Sequence, residues 1–340
     1  MKFILHILIL IMLSGNVLCN ESIFNVNNIK IDKNDTQTLE NSFKKAFEKF
    51  SQRVLLDKDS KLISNVNKDQ IKNLVSHYQI VNKKVDNKDI AILNLFFDKK
   101  KINEFFLKKN VSYSDLFNLD FVLMPIHQNE EEIFIYNNNF FYDNWVIDNQ
   151  SNNEVLQYVM PIENIENIEL IKKYKESLED LKVEEILKDY DLKNSALILI
   201  FERENNYKIF IKSIVSNKKV NYNFSINKLN QKKINERQKV ISKIKNKILD
   251  ISKSQNLIDL STPAFFNSNL KINDIDNLMN VQKILDKIDL IEYYSVEEII
   301  NNEVKLKIKY YGRVDKIIKV LEEKGLSVIN VNNSWSIELI

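Results

Sequence analysis

Apolar positions along this chain recur with two different periods, and the two periods lay out its elements. Phe24, Val26, Ile29 and Ile31 stand in a polar context and predict a first strand or two. Leu39, Phe43, Ala46, Phe47, Phe50 and Val54 then return at helical spacing, which predicts a helix over 38–56, with Asp35, Thr36 or Thr38 as its cap and Lys44, Lys45, Lys49 and Arg53 toward solvent. A second helix is expected over 68–78, capped near Asn67. Strands follow at 79–84 and 90–97, and a third helix at 98–108.

The middle of the chain reads first as strand. Segments 120–125 and 132–136 form a pair joined by a polar run, Phe140, Phe141, Tyr142 and Trp145 make an aromatic cluster, and 155–161 is a further strand. A helix is expected over 177–189, with Leu178, Leu181, Val183, Ile186 and Leu187 on its apolar side. Strands at 195–202, 207–215 and 220–226 lead into a long helix over 231–252, whose Ile234, Val240, Ile241, Ile244 and Ile248 share one side. After Ser261-Thr262-Pro263 the pattern is strand 270–275, helix 277–287, strands 290–299 and 303–311, helix 314–324 and strand 326–331, with a final strand at 335–339. The order βαββαβ predicts a ferredoxin-like sandwich with Gly325 at the left-handed end of its second helix. The fold class is therefore α+β, multi-domain, with mixed sheets and flanking helices.

The first residues carry an address. Met1-Lys2 precedes an apolar stretch, Phe3 to Leu13, and then Ser14-Gly15-Asn16 and Val17-Leu18-Cys19, the charged start, apolar centre and cleavage region of a secretory signal peptide. The stretch falls short of the roughly 20 apolar residues of a membrane span. Two processing routes stay open: cleavage after Cys19, or lipidation of Cys19 as the first mature residue, although Leu18 stands where lipoprotein signals usually have Gly or Ala. The expected organisation is signal 1–19, an N-terminal α+β domain over 20–112, a middle α+β domain over 113–260 and the ferredoxin-like domain over 264–340.

Composition narrows the chemistry. The 340 residues carry 49 basic against 47 acidic side chains, so no strong charge imbalance argues for nucleic acid. Cys19 is the only cysteine, which leaves no internal disulfide and fits a bacterial periplasm. Three glycines cannot build a phosphate-cradling loop, a dinucleotide fingerprint or a hydrolase nucleophile elbow. After the signal only His77 and His127 remain, distant in sequence and without a cysteine or spaced carboxylate beside them, so neither a zinc site nor any other metal or cofactor is expected. Asp57-Lys58-Asp59 opens like a calcium loop, but Lys61, Leu62 and Lys68 occupy the positions of an oxygen ligand, the central Gly and the closing Glu.

Two segments retain a claim to binding. Phe140, Phe141, Tyr142 and Trp145 combine apolar faces with polar handles and suit a sugar face or a protein interface, against the plainer reading that they cover a sheet. The basic helix over 231–252 could lie on an anionic membrane surface, against the plainer reading that it packs on a sheet with Lys232, Lys233, Arg237, Lys239, Lys243, Lys245 and Lys247 solvated.

The assembled pattern resembles a family of exported proteobacterial proteins that carry a domain of unknown function. The resemblance lies in Ile29-Lys30-Ile31-Asp32, Phe96-Phe97-Asp98 with the helix after it, Val122-Leu123-Met124-Pro125-Ile126, Tyr142-Asp143-Asn144-Trp145, Val159-Met160-Pro161, Tyr310-Tyr311-Gly312, Gly325-Leu326 and Trp335-Ser336-Ile337. It implies an envelope location and a multi-domain α+β build, and it transfers no catalytic residue. The function read from the sequence is that of a non-enzymatic periplasmic adaptor or accessory subunit with an envelope protein as partner. The alternatives are a module for a small glycan or lipid ligand and, behind it, a carboxylate-based hydrolase for which no acidic pair is privileged.

Overall fold

The computed structural model describes residues 22–31, 38–85, 88–130, 132–146, 155–191, 193–228, 233–300, 302–331 and 334–340. The signal-like segment and Cys19 lie outside the described residues. The chain is α+β.

The first segment runs β1 (Asn25–Ile31), α1 (Thr38–Val54), α2 (Asp57–Leu62), α3 (Lys68–Leu74), β2 (Val75–Val85), β3 (Lys88–Phe97) and α4 (Lys99–Lys108). Its sheet is antiparallel in the order β1-β3-β2. The helical spacing of α1 buries Phe43, Ala46, Phe47, Phe50 and Val54 on one side, and the Phe50 ring lies 4.9 Å from that of Phe97. Arg53 is not solvated as expected: it is buried, and its guanidinium donates to the carbonyls of Ile23 and Asn25. The helix expected over 68–78 starts at its Asn67–Gln70 capping box but ends at Leu74. Val75 turns extended and pairs with Phe97, and the register carries His77 and Tyr78 into β2, so sheet pairing overrides the helical spacing there.

The middle segment runs β4 (Tyr113–Ser114), β5 (Leu119–Gln128), β6 (Ile133–Phe134), α5 (Phe140–Asn144), β7 (Leu156–Val159), α6 (Ile165–Lys173), α7 (Val183–Ile186), β8 (Asn194–Glu202), β9 (Asn206–Val215), β10 (Lys218–Asn227), α8 (Lys233–Ser254) and β11 (Leu257–Ile258). Its sheet has the order β10-β9-β8-β5-β6, with β7 also on β5. β5 and β8 are parallel, and β8, β9 and β10 form an antiparallel meander. β8 is buried throughout. Ala196, Ile198 and Ile200 point into one hydrophobic cluster and Leu197, Leu199 and Phe201 into another, so both sheet faces are covered and the strand reads as an unbroken apolar run. The helix expected over 177–189 is instead a 3-10 turn at Leu178–Asp180 followed by α7. The break is held from outside: Lys212 of β9 donates to the carbonyls of Glu179 and Leu181, which a continuous helix would have used internally.

The last segment runs β12 (Ala264–Lys271), α9 (Ile275–Leu285), β13 (Ile291–Ile300), β14 (Glu303–Tyr310), α10 (Val314–Glu323), β15 (Leu326–Val331) and β16 (Ser334–Leu339). Its sheet has the order β13-β14-β12-β16-β15. The split β12-α9-β13 unit with β14 between its strands follows the sandwich order. The added strand β16 lies parallel to β12, and β15 pairs outside it, where a four-stranded sandwich would seat β15 directly on β12. Gly325 has φ +87°, the left-handed residue expected after α10. The first and last segments share one hydrophobic cluster, and β4 pairs with β11 where the chain passes between segments. Among the described residues no helix is long and apolar enough to cross a membrane.

Candidate functional site

Of the four aromatic residues expected to bind, Phe141 and Trp145 are core residues, which corrects the reading for those two. Phe141 and Trp145 are fully buried in the cluster between the middle sheet and α8, and Phe140 packs against the same cluster half-buried. Tyr142 is half-buried against the opposite cluster, and its hydroxyl donates to the Pro161 carbonyl at 2.6 Å. Asn139 fixes this arrangement. Its carbonyl oxygen caps α5 by accepting from the amides of Phe141 and Tyr142, and its amide nitrogen donates to the carbonyls of Pro125, Phe134 and Ile135. Pro125 is tolerated inside β5 because β7 pairs only as far as Val122 and β6 only from His127, so its missing N–H faces the gap that Asn139 fills.

The carboxyl ends of the parallel strands β5 and β8 carry a buried constellation that the sequence did not announce. His127 Nε2 lies 3.0 Å from Glu202 Oε2, and Arg237 of α8 donates to the same oxygen at 2.7 Å. Lys228 stands 3.3 Å from the other oxygen, which also accepts from the Tyr207 hydroxyl at 3.4 Å. His127 is 1 % exposed and Glu202 7 %. Burial, and after it the Glu202 charge, pushes the Tyr207 hydroxyl up to about 12. Phe134 stacks on the imidazole with centroids 5.2 Å apart, and the Arg237 guanidinium lies over the Phe140 ring at 5.7 Å. One carboxylate thereby ties together β5, β8, β9 and α8. A cavity of about 480 Å³ reaches Tyr207 and Lys228 but is not lined by His127 or Glu202. The signal available in the sequence was a titratable residue ending each of two apolar runs, Phe121 to Ile126 and Ala196 to Phe201. His77 is exposed on β2 and stacks on Phe96 at 4.2 Å, far from this group in both chain and sheet. Among the described residues no group of three or more His, Cys, Asp and Glu is placed to hold a metal ion.

Four of the five residues expected on the apolar side of the basic helix face the sheet, and Ile234 is exposed. Val240, Ile241, Ile244 and Ile248 are buried against the sheet, and Lys245 is buried too, its ammonium 6.0 Å from the centroid of Trp145 and 5.8 Å from that of Tyr158. The end of α8 joins the first segment through reciprocal caps. Asp250 Oδ1 accepts from the Asp57 amide at the start of α2, and Lys253 Nζ donates to the carbonyls of Gln52 and Leu55, each at 2.6 Å, at the end of α1. Burial drives the Lys253 ammonium down to about 8, against the opposing pull of Asp250 and Asp57.

Among the described strands, β2 presents a long backbone edge to a partner, as does the ten-residue edge strand β10. The 11-residue β2 pairs with β3 on one side, and its outer edge pairs with no other described strand. Tyr78, Ile80 and Val81 are exposed along it, Ile80 by 49 %. β13 is also an edge strand with exposed Tyr293, Val296, Ile299 and Ile300, but two register shifts interrupt it, and its Glu292, Glu297 and Glu298 are engaged by Lys309, Lys307 and Lys305 of β14. Such irregularities and charges blunt an edge, and β2 has one shift, between Val75 and His77, and two charged positions, Lys83 and Lys84, toward its end. Against known proteins, no family model, curated sequence or solved structure gives a significant match.

Proposed function

We propose that this chain is an exported adaptor of the bacterial envelope that docks a protein partner by strand addition along β2. The observation that supports the reading best is the long, weakly interrupted outer edge of β2 with Tyr78, Ile80 and Val81 in solvent. A partner strand added there gains main-chain hydrogen bonds from the edge and side-chain contacts from alternate positions. Export rests on the apolar stretch Phe3 to Leu13 and the region ending at Cys19. The mass of the mature chain from the envelope fraction separates removal of residues 1–19 from acylation of Cys19.

Cells carrying a photo-crosslinking side chain at Gln79, which is exposed on β2, test the docking edge. The expected result is one discrete adduct that disappears when Ile80→Lys and Val81→Lys place charges on both faces of the strand. Both side chains are exposed, so each substitution changes the unfolding free energy by no more than about 0.5 kcal/mol. Recovery of the chain alone, under conditions that crosslink known envelope pairs, rejects the adaptor reading.

A further inference from the structure

A groove between α8 and β10 has the construction of an anion site. Lys239, Lys243 and Lys247 occupy successive turns of α8, about 6 Å apart along the axis. Two cavities open along this row, one of about 480 Å³ at Lys239 and one of about 700 Å³ at Lys247, and Lys243 lines both. Their combined lining holds seven cationic side chains, with Lys49, Arg53, Lys228 and Lys253 joining the row, against the three carboxylates of Asp57, Asp250 and Glu236. Lys228 is already paired with Glu202, and Arg53 and Lys253 with backbone carbonyls, so the contacts to a ligand come from the row itself. The whole chain carries a net charge of only +2, so the groove gathers positive charge that the rest of the molecule balances. One of the three carboxylates, Asp250, is engaged with the Asp57 amide.

The wall opposite the lysines is aromatic. Tyr222 and Phe224 stand two residues apart on β10 with centroids 6.0 Å apart, and the Lys247 ammonium lies 3.6 Å from the Tyr222 centroid. The chemistry of the donors points to phosphate. Arginine's planar fork matches carboxylate and phosphate alike, whereas a row of lysines offers point charges that can meet successive phosphates of a chain without a fixed angle. Arg53, the one arginine in the lining, already donates to the Asn25 carbonyl at 2.8 Å. The concave shape and the buried apolar side of α8 favour an extended chain lying in the groove over a flat membrane surface.

We propose that the groove along Lys239, Lys243 and Lys247 binds a linear anion carrying several phosphate groups. It uses elements other than the β2 edge, so it stands or falls separately from the adaptor reading. The test is calorimetric titration of the full chain with inorganic tripolyphosphate, with the Lys243→Gln/Lys247→Gln variant beside it. Saturable binding is expected, weakened about tenfold or more in the variant and falling with added salt. The control variant Lys305→Gln/Lys307→Gln, on the far sheet, keeps full affinity. A second readout is the Lys253 ammonium, whose titration moves upward when the anion is bound and stays in place in the variant. Absence of saturable binding overturns the proposal, and so does affinity unchanged by the Lys243 and Lys247 substitutions. A single-stranded oligonucleotide that binds more tightly than tripolyphosphate through the same lysines supports the site and identifies nucleic acid as the source of its phosphates.

Discussion

At the scale of single residues, the polar groups that matter are buried ones. Asn139 is fully buried and serves five backbone groups, three carbonyls and two amides. Asn139→Ala removes the cap of α5 and leaves carbonyls of β5 and the β6 region without their donor, an expected loss of about 2–4 kcal/mol in urea unfolding. A loss below about 0.5 kcal/mol, the scale of an ordinary surface change, would show that water replaces the side chain there. Glu202 is the shared anion for the partly buried Arg237 and Lys228 and lies beside His127, so Glu202→Gln removes charge-assisted hydrogen bonds and is expected to cost about 1.5–3 kcal/mol. The same logic converts Phe141 from a binding probe into a packing probe. Phe141→Ala is expected to lower stability by about 3–5 kcal/mol through the cavity it leaves, and a change in partner binding in that variant would report on folding before it reported on a surface.

At the scale of elements, α8 ties two segments together by ending on other helices' termini, and this gives a pH signature. The Lys253 ammonium titrates near 8 in the folded chain and near 10.5 when unfolded. Below pH 8 both states hold the proton, and the native state bears the desolvation cost. Between those values the unfolded chain binds more protons, so stability is expected to rise with pH across that window, by on the order of 3 kcal/mol in total. Lys253→Met removes this rise, which denaturant midpoints measured from pH 7 to 10 would show; parallel curves for the two proteins would place the titration elsewhere. Elements with a sustained apolar period were readable in advance, α1 and α8 among them. Those decided by a neighbour were not: α3 yields to β2 because Val75 pairs with Phe97, and the 3-10 turn near Leu178 depends on Lys212 from β9. The nine-residue helix α6 was unreadable for a different reason: Ile165 is exposed, and only Ile168, Leu170 and Ile171 of so short a segment pack against the core. The His127–Glu202 pair could not be read because its members are 75 positions apart and only the parallel register of β5 on β8 brings them together.

At the scale of the whole molecule, the chain returns to where it began. The cluster that holds Phe24, Phe50, Leu93 and Phe106 continues without a break through Ile258, Phe266, Leu306 and Leu321. Polar contacts follow the same seam. Ser22 Oγ donates to Asp289 Oδ2 at 2.9 Å, Lys99 Nζ donates to the Ile288 carbonyl at 3.1 Å, and Lys316 pairs with Asp115. Burial drives the Lys99 ammonium down and the Asp289 carboxyl up, so both groups sit in a desolvated junction rather than on a wet interface. A shared apolar core with buried polar ties should make the first and last segments one cooperative unit, despite the middle segment inserted between them in sequence. Leu321→Ala provides the test. Leu321 is fully buried on α10, and its truncation should cost about 2–5 kcal/mol. If the seam is cooperative, hydrogen exchange in this variant speeds up together in the C-terminal sheet and in β3 and α1, while β8 keeps its protection. Faster exchange confined to 264–340 would mean that the last segment opens alone, and that the shared cluster packs two separately folding units rather than one.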